Sequence, residues 1–107
     1  MKNIILEKPY KIIDIKYRKT NETRTDGRYP LRIGSTIVFY IRPCAGVVAF
    51  LNYVLDNEGN EKTGVIRTST VTDIFEEDNK IIIETFNSIY ILEEVEWNVI
   101  YINWRRI

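Results

Sequence analysis

The chain of 107 residues carries 15 Lys plus Arg against 15 Asp plus Glu, so its formal charge is zero. That balance excludes the basic surplus of a general duplex-DNA binder, and a 45% hydrophobic fraction excludes a disordered chain. There is no His and a single Cys, Cys44, which removes the commonest general base, any intrachain disulfide and any Cys-rich zinc site.

The length fits one β domain over 1–107. The opening "MKNIILEKPY" meets a charge too early for a signal peptide, and no apolar run approaches membrane-spanning length. With its lone Cys, the chain reads as a cytoplasmic protein without a membrane partner.

Taken in order, "NIILE" offers a first edge strand. "YKIIDIKYR" alternates, with Ile13, Ile15 and Tyr17 on one face and Asp14, Lys16 and Arg18 on the other, which predicts a half-buried strand. "KTNETRTDGRYP" is polar, contains Asp26-Gly27 and ends in Pro30, so a long loop is expected. Residues 35–41 and 46–56 read as the next strands, the latter closed by a turn at "NEGN" in which Gly59 supplies positive φ. "KTGVIRTS" and "TVTDIFE" read as two further strands, joined by a bend at "TST" and followed by a turn at Asp78-Asn79. "KIIIETF" and "SIYILEE" form a hairpin about Asn87-Ser88, with Ile81, Ile83, Tyr90 and Leu92 on one face. A last strand is expected over 98–104.

This pattern predicts an all-β fold, either an SH3-like partly open barrel or a sandwich of about seven short, mostly antiparallel strands. Ile82, Phe86, Ile89 and Ile91 make the second face of the last hairpin apolar too. A small sheet with no covering helices leaves such a face to be buried by a partner. A homo-oligomer is therefore expected, with Trp97, Tyr101 and Trp104 at its interface.

Catalysis finds little support. The acidic clusters at Glu76-Glu77-Asp78 and Glu93-Glu94-Glu96 sit at a turn and a strand end, where carboxylates are ordinarily solvated. Cys44 lacks a His to activate it and reads as a buried structural thiol. No Gly-rich phosphate loop or nucleophile elbow is present. A non-enzymatic protein with no cofactor and no metal is expected.

Binding has better candidates. "TDGRYPLRIGS" gathers Arg28, Tyr29 and Arg32, and "IRPCAG" adds Arg42. Guanidinium forks suit phosphates, and a Tyr ring offers a stacking face. "IRTST" sets Arg67 beside Thr68 and Ser69, whose hydroxyls suit an anion or a ribose, and Asn87 offers an amide at a hairpin tip. Thr and Ser also form ordinary strands, and Asn-Ser is ordinary turn chemistry. Scattered Arg and aromatic residues without net positive charge fit a pocket better than a nucleic-acid groove.

The stretch 67–94 resembles the tail of small uncharacterised β proteins encoded by bacteriophages and other mobile elements. The shared pattern is a "TSxV" strand, here Thr68, Ser69 and Val71, followed by "IxTxNSxYxL", here Ile83, Thr85, Asn87, Ser88, Tyr90 and Leu92. The resemblance implies a phage origin, action in the host cytoplasm and a role against the host. In size and oligomeric habit the chain is similar to anti-defence nucleotide sponges, which sequester cyclic nucleotide or cyclic ADP-ribose signals without cleaving them. The partner is then a phosphorylated small-molecule signal or a host defence protein. The alternatives are an inhibitor or structural module docking on a host protein, and a small barrel that binds single-stranded nucleic acid.

Overall fold

The computed structural model of the protein describes residues 4–96. Its elements are β1 (Tyr10–Tyr17), α1 (Tyr29–Arg32), β2 (Thr36–Val38), β3 (Val48–Leu55), β4 (Val65–Glu77), β5 (Lys80–Thr85) and β6 (Ser88–Glu94). Each strand pairs antiparallel with the next. β6 returns to β1 with Tyr10 opposite Glu94 and Tyr17 opposite Ser88, which closes a barrel. The all-β expectation holds. The described residues form six strands rather than about seven, and the ring is closed rather than partly open. Closure removes the unpaired edges that a sheet of these apolar strands would otherwise present.

The strands fold as they do because β-branched and aromatic side chains alternate between the barrel interior and its outside. Ile12, Ile15, Leu51, Ile83 and Leu92 are fully enclosed, and Tyr10 meets Phe39 edge-on at 5.8 Å between ring centroids. Full burial of each such aliphatic side chain stabilises the fold by about 1.5–3 kcal/mol. The inward set Ile81, Ile83, Tyr90 and Leu92 is the one the alternation predicts. Gly59 (φ +85) and Asp78 (φ +57) supply the left-handed residues of their turns, as the turn sequences require.

Bulges account for two departures from the sequence reading. In β1 the register against β6 slips between Ile12 and Asp14. The extra residue reverses the phase of the strand, so Ile12 and Ile15 point inward and Ile13 faces out, unlike the expected Ile13–Ile15–Tyr17 face. The two strands expected around "TST" are one strand of 13 residues, β4. It pairs with β3 along its first part and with β5 along its second, and register slips on both sides let it bend without ending. The final hairpin turns at Phe86-Asn87, one residue earlier than expected, and Ser88 is buried at the start of β6. Residues 4–9 form a turn rather than an edge strand, with Ile4 in the core. Cys44 is exposed, not buried: Pro43 before it is buried, but residues 44–47 are all exposed in the connection between β2 and β3.

The loop between β1 and β2 is ordered by backbone pairing. Tyr17 N–H donates to Glu22, Arg24 N–H to Ile15, and Gly34 N–H to Ile12. The expected long loop therefore follows β1, makes the single helical turn α1, and packs Tyr29 and Ile33 against the core. The expected strand over 98–104 lies outside the described residues.

Candidate anion-binding site

Two cavities flank this loop. The first, of about 360 Å³, is lined by Tyr17, Arg18, Lys19, Arg24, Tyr29 and the hairpin tip Phe86-Asn87. Its guanidinium groups are committed to the protein. Arg24 forms a fork with the Asp26 carboxylate at 2.6 and 2.9 Å and donates to the Asn87 carbonyl at 3.0 Å and Ser88 Oγ at 2.7 Å. Its Cζ lies 3.8 Å from the Tyr29 ring centroid and 4.9 Å from that of Tyr17. The Asp26 carboxyl is pulled down to about 2, chiefly by the hydrogen bonds from Arg24. Arg18 donates to Thr72 Oγ1 and the Thr85 carbonyl and lies 3.7 Å from Glu84. These contacts fasten the loop to the barrel.

The second cavity, of about 440 Å³, differs in kind. Arg28, Arg32 and Lys62 line it together with Tyr53 and Thr63, and no carboxylate does. Arg28 and Arg32 come from the loop and its helical turn, Tyr53 from β3, and Lys62 and Thr63 from the chain returning towards β4. The β3–β4 connection brings the last three together. Tyr53 N–H donates to the Gly64 carbonyl, and the Lys62 ammonium stands 4.4 Å over the Tyr53 ring. Gly64 holds φ +113, which lets the chain turn at the rim. Arg32 lies 5.0 Å from the Tyr29 centroid.

Burial pushes the Tyr53 hydroxyl above its ordinary pKa, while Arg32 and Arg28 pull the other way. Behind it, burial pushes Tyr90 up to about 12. Both phenols are therefore neutral donors at physiological pH, and the cavity keeps its positive sign. Lys62 also acts on a carboxylate outside the lining, helping to lower the Asp56 pKa after the larger effect of the Asn60 amide. Three cations around one cleft, beside a neutral phenol and a threonine hydroxyl, suit a phosphate or another compact anion.

The sequence candidates scatter over this framework. Arg28 lines the second cavity, and Tyr29 and Asn87 line the first. Arg42 is exposed and donates to the Ile4 carbonyl at 2.7 Å, fastening the N-terminal turn. Arg67 is exposed on β4 opposite Phe50 and lines neither cavity. Thr68 is buried and serves the sheet. The register slip of β3 leaves the Ala49 N–H facing the Thr68 hydroxyl, which accepts it at 2.9 Å and donates to the Ser69 carbonyl at 2.7 Å. Ser69 Oγ accepts the Asn87 N–H at 3.2 Å. Trp97, Tyr101 and Trp104 lie outside the described residues.

Sequence reasoning missed Tyr53 and Lys62. Each looks like an ordinary strand or turn residue, and only the β3–β4 pairing sets them opposite Arg28 and Arg32. Among the described residues no group of His, Cys, Asp and Glu is placed to hold a metal ion, and no helix is long and apolar enough to cross a membrane. Protein-family models, curated proteins and solved structures gave no match to the chain, so the chemistry of the site rests on its geometry.

Proposed function

We propose that this protein is a non-catalytic binding protein for a small phosphorylated molecule, held in the cavity between α1 and the β3–β4 connection. The observation that carries this reading is the convergence of Arg28, Arg32 and Lys62 on one cleft of about 440 Å³ with no carboxylate in its lining. That size is within the usual range of small-ligand sites. Tyr53 supplies an aromatic wall beside the cations, which fits a ligand that joins a ring to a phosphate. The resemblance of the 67–94 stretch to phage-encoded proteins extends the reading. The ligand class is a cyclic nucleotide or a cyclic ADP-ribose-type signal, sequestered against a host defence.

Calorimetry against cyclic nucleotides and ADP-ribose derivatives, with the matching unphosphorylated nucleosides as controls, tests the proposal. Phosphorylated ligands bind and the nucleosides do not. Removing one charge-assisted set of hydrogen bonds with Arg28→Ala costs about 1.5–3 kcal/mol, roughly tenfold or more in affinity. Lys62→Ala weakens binding in the same direction. Equal binding by the folded variants overturns the site. A single-stranded nucleic-acid function predicts instead an affinity for oligonucleotides that falls steeply with added salt.

A further inference from the structure

The outer face of β4, β5, β6 and β1 carries a groove of about 670 Å³ on the far side of the sheet from the core. Strand register sorts the outward side chains of these four strands into three rows. The middle row is apolar over three strands: Phe75, Ile82 and Ile91 stand side by side, and on β1 the row ends at Asp14, the register partner of Ile91, with the bulged Ile13 beside it. The row above runs Glu77, Lys80, Glu93, Lys11 across the same four strands. The row below runs Asp73, Glu84, Ile89, Lys16.

Three of the position pairs invert in charge about the line between β5 and β6, while Glu84 falls opposite Ile89 and Asp14 opposite Phe75. Glu77 on β4 matches Lys11 on β1, Lys80 on β5 matches Glu93 on β6, and Asp73 on β4 matches Lys16 on β1. Neighbouring strands within one chain explain the Lys80–Glu93 match, because opposite charges stabilise directly facing strands. They do not explain Glu77 with Lys11 or Asp73 with Lys16, which stand at opposite ends of their rows.

We infer that a second copy of this chain packs on the groove, related by a twofold axis parallel to the strands between β5 and β6. Such an axis sets β4 of one copy against β1 of the other and β5 against β6, row on row. Every matched charge then meets its opposite, and Ile82 meets the partner's Ile91 in the middle. A twisted sheet has the saddle shape that this rotation returns to itself, and packed sheets keep their strands within about 30° of each other. Four strands at about 4.8 Å spacing and five residues at about 3.4 Å give a patch of roughly 19 by 17 Å before side-chain relief. That is smaller than the about 800 Å² per partner of a standard interface. The dimer is therefore weak and dissociates on dilution.

The test uses two charge-reversed chains, K11E/K16E and D73K/E77K, with folding checked by circular dichroism. In sedimentation velocity the wild type moves from monomer to dimer mass across the micromolar range. Each reversed chain alone stays monomeric, because like charges face each other across the dyad. An equimolar mixture regains dimer mass, and I82D placed in either chain abolishes it. A wild type that stays monomeric overturns the inference, whether residues 97–107 of the same chain fill the groove or nothing does. Reversed chains that dimerise as tightly as wild type, or a mixture that stays monomeric, overturn the dyad. Ligand binding at the Arg28 cavity is a separate readout, so failure here leaves that reading untouched.

Discussion

The Arg24 guanidinium lies 3.8 Å from the centre of the Tyr29 ring, five residues further along the chain. The stack is closed on another side by the Asp26 fork and tied to the β5–β6 turn through the Asn87 carbonyl and Ser88 Oγ. Together with the backbone pairing of the loop, this side chain ties it to the barrel, and the loop in turn positions Arg28 and Arg32 at the neighbouring cavity.

Arg24→Ala is expected to destabilise the fold by about 2–3 kcal/mol. It removes charge-assisted hydrogen bonds worth about 1.5–3 kcal/mol and a cation–π contact worth about 0.5–2 kcal/mol, offset in part by water reaching the site. Arg24→Lys restores only a fraction, because an ammonium cannot reproduce the planar fork. Urea denaturation measures both, and wild-type stability in Arg24→Ala would show that the loop holds without it.

Thr68→Val is expected to cost about 1–3 kcal/mol, since it leaves the Ala49 N–H buried without an acceptor. Thr68→Ser keeps the hydroxyl and is expected to cost less. Arg67→Ala, on an exposed strand position, is expected to change stability by no more than about 0.5 kcal/mol and to leave ligand affinity unaltered. Thermal melts together with calorimetry separate the two residues. A drop in affinity for folded Arg67→Ala would return the binding site to β4.

The pH dependence follows from two groups with opposite shifts. Asp26 is lowered in the folded state to about 2 by Arg24. Its stabilising contribution is complete above its unfolded pKa and is lost as pH falls through that value towards 2. Tyr90 is raised to about 12 by burial. The unfolded phenol ionises near 10 while the folded one keeps its proton, so stability falls as pH rises from about 10 to 12. Denaturant midpoints across the alkaline range from roughly pH 8 to 12 check this. Tyr90→Phe removes the tyrosine contribution to the slope, and an unchanged slope in that variant would assign it elsewhere.

Much of the architecture is legible in local sequence. The alternation in "KIIIETF" and "SIYILEE" decides which side chains face the core, because successive side chains on a strand point to opposite faces. Gly59 and Asp78 mark turns because their positions demand left-handed backbone. Arg28 and Arg32 are visible together because one helical turn separates them.

Other features belong to the tertiary structure. Ile13 and Ile15 look equivalent by alternation, yet the bulge against β6 sends one outward and the other inward. "TST" looks like a bend between strands, yet β3 on one side and β5 on the other hold it as part of one strand. The Thr68 hydroxyl looks available for a ligand until the slip in β3 presents it with the Ala49 amide. A chain's own residues set their turns and their alternation, but a bulge, a register and the meeting of Arg28 with Tyr53 and Lys62 depend on the facing strand. Those partners lie elsewhere in the chain, and only assembly of the barrel sets β6 against β1, β3 and β5 against β4, and α1 beside the β3–β4 connection.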